Sequence, residues 1–530
     1  MSDVAAVSNR PAEAAGHSVD ELVSRLAVSA PDSRAVVHPG AAPGTQTVRV
    51  FGVTHDSRLV RPGDLYAALP GAQAHGAQFA RQAADAGAAA ALTDAAGAQL
   101  VGDSFAAVLV VTEPRLVLGP VASWIYGEPS TRLRTFGVTG TNGKTTTSYL
   151  VEAGLRAAGH RTGLVGTIET RIGDQVTKSV RTTPEASDLQ SLFAAMVERG
   201  VSAVAMEVSS HALALHRVDG TSFDVVGFTN LSQDHLDFHA DLDDYFAAKA
   251  RLLTPELAAR GVVNSDDEYG TRLLAAPRID LVSFSADGDP AATWRASHIE
   301  VNPRGSRFVA HGPGVEIAVT TALAGRFNVA NALGALAMLV EGGIDPANAV
   351  AGIGSLAGVP GRLERIDAGQ PFTVLVDYAH TPQAVVTLLE ALRTATPGRL
   401  FVVLGCGGDR DKAKRPLMGA AAARLADVAV FTSDNPRSED PEQILDAVIA
   451  GADQVPRGER AEIHIEIGRD AAIALALAAA QPGDVVVVAG KGHEQGQEIA
   501  GVQYPFDDRQ VVREHLARRG WSANPTGGPA

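Results

Sequence analysis

Gly140-Thr-Asn-Gly-Lys-Thr-Thr146 is the segment whose residue types and spacing most directly suggest chemistry. Gly140 and Gly143 let the backbone curl and turn N–H groups toward phosphate oxygens, while Lys144 can reach the β- and γ-phosphates. The Thr145 hydroxyl is placed to hold Mg²⁺, and Thr141, Asn142 and Thr146 complete the loop. A strand expected over Thr135–Thr139 leads in, and a helix expected over Thr145–Ala158 leads out and adds its N-terminal partial positive charge. The general pattern G-x-x-x-x-G-K-[ST] would put its first glycine at Val138, so the spacing departs from it. A chance Gly-rich turn is the alternative, but it leaves the Gly-Lys-Thr core between strand and helix unaccounted for. The segment reads as a nucleotide-phosphate site.

The elements that must position this loop belong to a chain of 530 residues, too long for one core and suited to about three domains. Hydrophobic residues are 45% and charged residues 20%, the balance of an ordinary globular protein. A formal charge of -15 argues against a nucleic-acid surface but leaves room for an anionic small ligand at a local site. The single cysteine, Cys406, excludes an internal disulfide and a thiolate metal cluster, and reads as packing. Met1–Gly16 has neither a basic n-region nor an apolar h-region. Apolar runs such as Asp484–Ala489 fall far short of the roughly 20 residues a bilayer span needs, so a cytoplasmic address is expected.

Three segments are expected. Residues 1–133 open with a tail read as disordered, then alternate short strands (Val48–Val53, Asp64–Ala68, Ala106–Val111) with Ala-rich helices. Gly127–Ser130 reads as a linker. Residues 134–365 carry further strands at Ala203–Val208, Val225–Thr229 and Gly261–Asn264, the alternation of a parallel sheet covered on both faces. A strand-rich insertion is expected over Asp280–Thr320 and a long helix over Asn328–Val340, before a second linker at Gly358–Gly361. Residues 366–530 place strands at Val374–Asp377, Leu400–Leu404, Val428–Thr432 and Val485–Ala489 in a doubly wound α/β pattern without a dinucleotide G-x-G-x-x-G.

Thr139–Thr146 resembles the ATP loop of the Mur ligases and the related folylpolyglutamate synthetases, including its departure from the general spacing. Met206-Glu-Val-Ser-Ser-His211, Asn230-Leu-Ser-Gln-Asp-His-Leu-Asp-Phe-His239, Tyr245-Phe-Ala-Ala-Lys249, Gly325-Arg-Phe-Asn328, Pro360–Glu364 and Val376–Pro382 continue the likeness in order. Thr54-His-Asp-Ser-Arg58 and Gly71-Ala-Gln-Ala74 resemble the UDP-sugar site of the diaminopimelate- and lysine-adding members. Gly405–Lys412, Asp434-Asn-Pro-Arg437 and Gly490-Lys-Gly-His-Glu494 resemble their amino-acid site, the Asp-Asn-Pro-Arg tetrad being the mark for diaminopimelate. The implied fold is α/β in three domains: a small UDP-binding domain, a central P-loop-like ATPase domain and a C-terminal Rossmann-like domain.

The implied activity is an ATP- and Mg²⁺-dependent ligase joining meso-diaminopimelate to UDP-N-acetylmuramoyl-L-alanyl-D-glutamate through an acyl phosphate. A monomer is expected, with neither nucleic acid nor membrane as partner. The resemblance places Lys144, Glu207, His235 and Lys249 in catalysis, and Thr145, Glu207, His235 and carbamylated Lys249 around Mg²⁺. Read without the family, Lys249 is an ordinary solvated lysine on a helix. Asn328, Arg362 and Asp377 join Gly140–Thr146 at the nucleotide, with a helix N-cap as the alternative for Asn328 and a linker salt bridge for Arg362. His211 reads as a structural hydrogen-bonder beside Ser209 and Ser210, and His380 as a possible helix cap.

The muramoyl substrate is assigned His55, Ser57, Ala72, Gln73, Ala74, Thr182, Thr183, Ser209 and Arg217, each of which taken singly is an ordinary surface residue. Two positions depart from the family: Leu215 where a glutamine can stand, and Arg181 where asparagine is frequent. Diaminopimelate is assigned Arg410, Asp434, Asn435, Pro436, Arg437, Gly490 and Glu494. It differs from lysine by a distal carboxylate, which a planar guanidinium such as Arg437 answers with two parallel hydrogen bonds; a surface ion pair is the alternative. A lysine-adding ligase, a folylpolyglutamate synthetase and an ATP-hydrolysing scaffold are the competing readings. The N-terminal segment and the Asp-Asn-Pro-Arg tetrad have no role in the second. The third requires ATP turnover independent of both other substrates.

Overall fold

A computed structural model describes residues 10–12, 15–29, 34–37, 48–71, 74–302 and 304–521. Most of the tail read as disordered lies outside the described residues, as do Ala72 and Gln73. The first large sheet runs in the order Arg34–Val37, Ala107–Val110, Ala90–Thr93, Asp64–Ala67, Gly52–Thr54, parallel except for the first strand. The run Val48–Val53, expected as one strand, is two. Arg49–Val50 pairs with His17–Ser18, and Gly52–Thr54 crosses into the large sheet, leaving Phe51 exposed between them. Ala90–Thr93 lies in an Ala-rich stretch whose composition favours helix, yet it is fully buried between two partner strands, where small side chains fit.

The central sheet has eleven strands. Seven are parallel, in the order Thr162–Val165, Ala203–Glu207, Arg134–Thr139, Phe223–Phe228, Ala258–Asn264, Asp280–Ser285, Trp294–Asn302. Antiparallel hairpins extend both edges. The strand-rich stretch after Asp280 is therefore a continuation of this sheet, closed by Gly305–Gly312 and Val315–Thr321. Helix Lys144–Ala157 is buried nearly all round against helices Arg326–Glu341 and Pro346–Ser355. Glycines allow the approach: a Cβ on Gly352 would lie 2.4 Å from the Ala153 carbonyl oxygen, and one on Gly154 2.3 Å from Leu339.

The third large sheet runs Glu364–Arg365, Thr373–Asp377, Val485–Ala489, Leu400–Cys406, Val428–Ser433, Glu462–Ile465, parallel except at the first edge. Parallel strands put their carboxyl ends on one side, and that edge is where α/β sheets bind ligands. In the central sheet the pairings Glu207 with Val138 and Phe228 with Thr139 bring Glu207, Thr229 and the phosphate loop to one edge. In the third sheet the same rule gathers Asp377, Gly490 and Asp434. Among the described residues no helix is long and apolar enough to cross a membrane.

Candidate active site

The phosphate loop is stitched to the end of the neighbouring strand. Thr141 N–H donates to the Asn230 carbonyl (2.8 Å), Asn142 N–H to the Asn230 side-chain oxygen (2.9 Å), and the Thr229 hydroxyl to the Asn142 carbonyl (2.6 Å). The amides of Thr141 and Asn142 are thus spent inside the protein. The donors left for phosphate include that of the cap, Gly143, and those of Lys144, Thr145 and Thr146, which open the helix where no carbonyl one turn back reaches them. Gly140 has φ +146° and a Cβ there would lie 1.9 Å from the Thr229 hydroxyl; Gly143 has φ +88° and would meet Asn331 at 2.5 Å. Gly140→Ala is expected to cost about 1–3 kcal/mol of loop strain, read as a rise of about tenfold or more in the KM for ATP.

Two lysines converge on this loop. Lys144 Nζ donates to the carbonyls of Gly140 and Thr141, each at 2.8 Å, and Lys249 Nζ donates to the same Gly140 carbonyl at 2.7 Å. Lys249 is 1% exposed and lies 4.5 Å over the Tyr245 ring, so it is not the solvated lysine its helix alone would suggest. Burial, then the neighbouring Lys144 cation, push its pKa well below that of a free lysine. Burial also lowers Lys144, against the pull of Glu207 and Asp234.

The buried Glu207 carboxylate accepts from the Thr145 hydroxyl (2.9 Å), the Thr167 hydroxyl (3.0 Å) and the Thr167 amide (2.7 Å). Arg362 reaches from the linker to the Thr145 hydroxyl (3.2 Å) and lies over the Tyr378 ring, which replaces the linker salt bridge by a contact with the phosphate loop. Asp377 accepts from the amides of Leu363 and Ala379, so it shapes the turn that carries Arg362. Asn328 is inside its helix, bonded to the Ala324 carbonyl and to Asn331, and Gly325 is the cap.

His235 sits at φ +56° beside Asp234, and burial lowers its pKa to about 4, leaving a neutral imidazole with a lone pair. His211 does not bond the two serines. Its ring stacks on Phe238 at 4.1 Å and meets His235 edge-on at 4.8 Å, while Ser209 caps the helix Ser210–Ala214. Nor is His380 a helix cap: Thr381 takes that role, and the His380 ring faces the cavity. Among the described residues no three His, Cys, Asp or Glu side chains converge as a metal cage. The touching oxygens of Thr145 and Glu207 nevertheless suit Mg²⁺, which takes few protein ligands and completes its shell with water and phosphate.

One cavity of about 710 Å³ is lined by Thr141–Thr146, Thr182, Glu207, Ser209, His235, Lys249, Asn328, Arg362 and Asp377. Of the other described muramoyl candidates, three are held by neighbouring side chains and backbone of the first two units. Thr183 donates to the Glu207 carbonyl (2.9 Å) and receives the Ser209 amide (3.1 Å), Arg217 pairs with Glu185 (2.9 Å), and His55 meets Ser187 (3.1 Å). Ser57 is held apart by Gln82 in the first α/β unit, and Ala74 is exposed there. Leu215 is half-buried at the end of its short helix, and Arg181 pairs with Glu185.

The diaminopimelate candidates form a separate group beyond this cavity. Lys491, fully buried, donates to Asn435 and Glu494 at 3.1 Å each and lies 3.5 Å from Asp434. Glu494 also receives the Asn435 amide (3.0 Å). Gly490 has φ +111°, and a Cβ there would lie 2.8 Å from the Asp434 carboxylate. Arg437, with φ +55°, is clamped through its backbone to Glu498 and Ala500, and its guanidinium donates to the Gly408 carbonyl at 2.6 Å. Pro436 precedes it, and Arg410 is exposed, leaning on the Asp409 carbonyl.

Sequence reasoning passed over Asn230, Asp234, Tyr245 and Lys491, although each stands inside a motif it quoted. Thr167 and Asn331 carry no motif; only the fold brings them to Glu207 and Gly143. A threonine in a loop has no signature until its partner is known.

A phosphate loop, a buried second lysine and a bridging linker arginine over three α/β units define a nucleotide-dependent ligase architecture. Three family models match in order: "Mur ligase family, catalytic domain" over residues 49–123, "Mur ligase middle domain" over 138–339, and "Mur ligase, glutamate ligase domain" over 361–492. The UDP-N-acetylmuramoyl-L-alanyl-D-glutamate–2,6-diaminopimelate ligase of Streptomyces coelicolor is 56% identical over 510 residues, 96% of this chain and 98% of that protein. That of Streptomyces avermitilis is 58% identical over 478 residues, 90% and 94% of the two chains. A solved structure of a ligase of the same name is 32% identical, with a TM-score of 0.65, and the match covers 92% of this chain and 99% of that one. The chain belongs to the Mur ligase family.

Proposed function

We propose that the chain is an ATP-dependent ligase that adds meso-diaminopimelate to UDP-N-acetylmuramoyl-L-alanyl-D-glutamate, giving the UDP-muramoyl tripeptide of peptidoglycan synthesis. The observation that carries this is one cavity that joins the phosphate loop, Glu207 and Lys249 to Thr182 and Ser209. Full-length identity with ligases of that name supports it.

A carboxylate resists attack by an amine because its oxygen is a poor leaving group. Transfer of the ATP γ-phosphoryl group to the glutamate side chain gives an acyl phosphate and ADP. The amine of diaminopimelate then attacks the acyl carbon, phosphate leaves, and the amine proton is lost to solvent or base. Both steps crowd negative charge, so fixed positive groups and oriented donors dominate. Lys144 and the helix amides of residues 144–146 meet the β- and γ-phosphates, and Arg362 approaches from the linker.

Thr145, Glu207, His235 and carbamylated Lys249 are the side chains that would hold Mg²⁺. The ion supplies charge neutralisation between phosphate and carboxylate. Residues 1–133 bind the UDP end, 134–365 carry ATP, and 366–530 bring the amino acid. Closure of the third unit onto the second excludes water from the acyl phosphate.

The test uses muramoyl dipeptide labelled with ¹⁸O in the glutamate side chain. Label passing into released phosphate is expected; its absence removes the acyl-phosphate route. Phosphate release with diaminopimelate, with lysine and with neither separates this reading from a lysine-adding ligase and from a bare ATPase.

A further inference from the structure

Arg362 leaves the linker and reaches the Thr145 hydroxyl at 3.2 Å, one bond at the tip of a long side chain. Beneath the guanidinium lies the Tyr378 ring, with Arg362 Cζ 4.3 Å from its centroid. A guanidinium settles on an aromatic face through both its charge and its planar shape. The two backbones are held in register. Asp377 accepts from the amides of Leu363 (2.7 Å) and Ala379 (2.8 Å), the residues that follow Arg362 and Tyr378. Glu364 and Arg365 also pair with Val376 and Leu375 as neighbouring strands.

Tyr378 has little room to move. Its carbonyl accepts from His380 Nδ1 at 2.7 Å, and its ring meets those of His380 at 4.5 Å and His493 at 5.2 Å. The loop Gly490–Glu494 runs against its backbone. A Cβ on Gly492, with φ +53°, would lie 2.8 Å from Tyr378 Cβ and 2.7 Å from the Gly361 carbonyl oxygen. One ring thus stands between the linker turn, the loop after strand Val485–Ala489 and the arginine aimed at Thr145. Packing alone would ask only for an apolar side chain; the face under Arg362 asks for a ring.

We propose that Tyr378 is a positioning residue whose ring holds the Arg362 guanidinium in the direction of Thr145, so that the arginine meets the phosphates of ATP already oriented. This rests on the nucleotide reading of the phosphate loop. Without the ring, Arg362 spreads over its rotamers, and nucleotide binding must order it each time. The aromatic face supplies the hold, so the phenol oxygen is not required.

The experiment is a double-mutant cycle on the full chain, with the Kd of Mg-ATP read by calorimetry in the absence of dipeptide, where no transfer occurs. The expected result is a Kd about tenfold higher in Tyr378→Leu and within about twofold of the unaltered chain in Tyr378→Phe. In an Arg362→Met background, Tyr378→Leu should add less than about twofold, because the ring acts only through the guanidinium. Losses that multiply in the double variant overturn the proposal and make Tyr378 an independent contact or a packing residue. So does an unchanged Kd in Tyr378→Leu, or a loss in Tyr378→Phe as large as in leucine. Should the leucine variant be unstable, Tyr378→Met carries the same cycle with the same outcomes. If the unaltered chain does not bind Mg-ATP, the nucleotide reading fails first, and this one falls with it.

Discussion

Lys249→Met is expected to lower kcat about 10³-fold, with a much smaller change in the KM for ATP. The physical basis is the buried pair of lysines on the Gly140 carbonyl. Two ammonium groups sharing one acceptor repel, and burial penalises each further. Lys249, the more strongly depressed, gives up its proton more readily than a free lysine. A neutral amine can add to carbon dioxide and lose a proton, becoming a carbamate whose oxygens suit a hard cation. The site then holds one cation and one anion where it held two cations.

Acid reverses this. As pH falls the amine is reprotonated and the carbamate released, so turnover is expected to decline on the acid side and to recover with added bicarbonate. A carbonyl resonance from ¹³C-bicarbonate should appear in the unaltered chain and be missing from Lys249→Met. Full turnover by the methionine variant would leave Lys249 a packing residue. Methionine keeps most of the side-chain volume and can pack its sulfur on the Tyr245 ring where the ammonium stood, so folding is not the variable tested.

The second large effect is at Arg437. Arg437→Ala is expected to raise the KM for diaminopimelate by about 10³-fold and to leave the KM for ATP within about twofold. The upper range for a polar-matched site, about 10⁵-fold, does not apply here. The guanidinium is already bonded to the Gly408 carbonyl and lies 3.5 Å from Glu498, so without a distal carboxylate it is not left bare. Its left-handed backbone is fixed by the Glu498 carbonyl and the Ala500 amide, which hold the fork in one direction. Arg437→Lys should therefore recover little, because an ammonium cannot reproduce the two parallel bonds. Steady-state kinetics with diaminopimelate and with lysine decide it, and equal use of both amino acids by the unaltered chain would remove the assignment.

What could be read in advance was local or patterned. The strand–loop–helix around Lys144 was legible because glycine at Gly140 and Gly143 answers a backbone need that can be named without coordinates. The parallel strands Ala203–Glu207, Val428–Ser433 and Val485–Ala489 were legible as continuous apolar runs, as strands covered on both faces must be. Ala90–Thr93 was hidden, because alanine's preference for helix is weaker than the burial two neighbouring strands impose.

By itself the sequence determined the three α/β units, the phosphate loop and the motifs around it, since these depend on residue type and short spacing. Only the tertiary structure decided that Lys249 is buried against Gly140, that the amides of Thr141 and Asn142 face Asn230, that Arg362 crosses to Thr145, and that Glu185 gathers three arginines. Each of those contacts joins residues distant in the chain. Burial and charge are properties of neighbours in space, so the chemistry of a lysine or a carboxylate is settled only when the fold has chosen its neighbours.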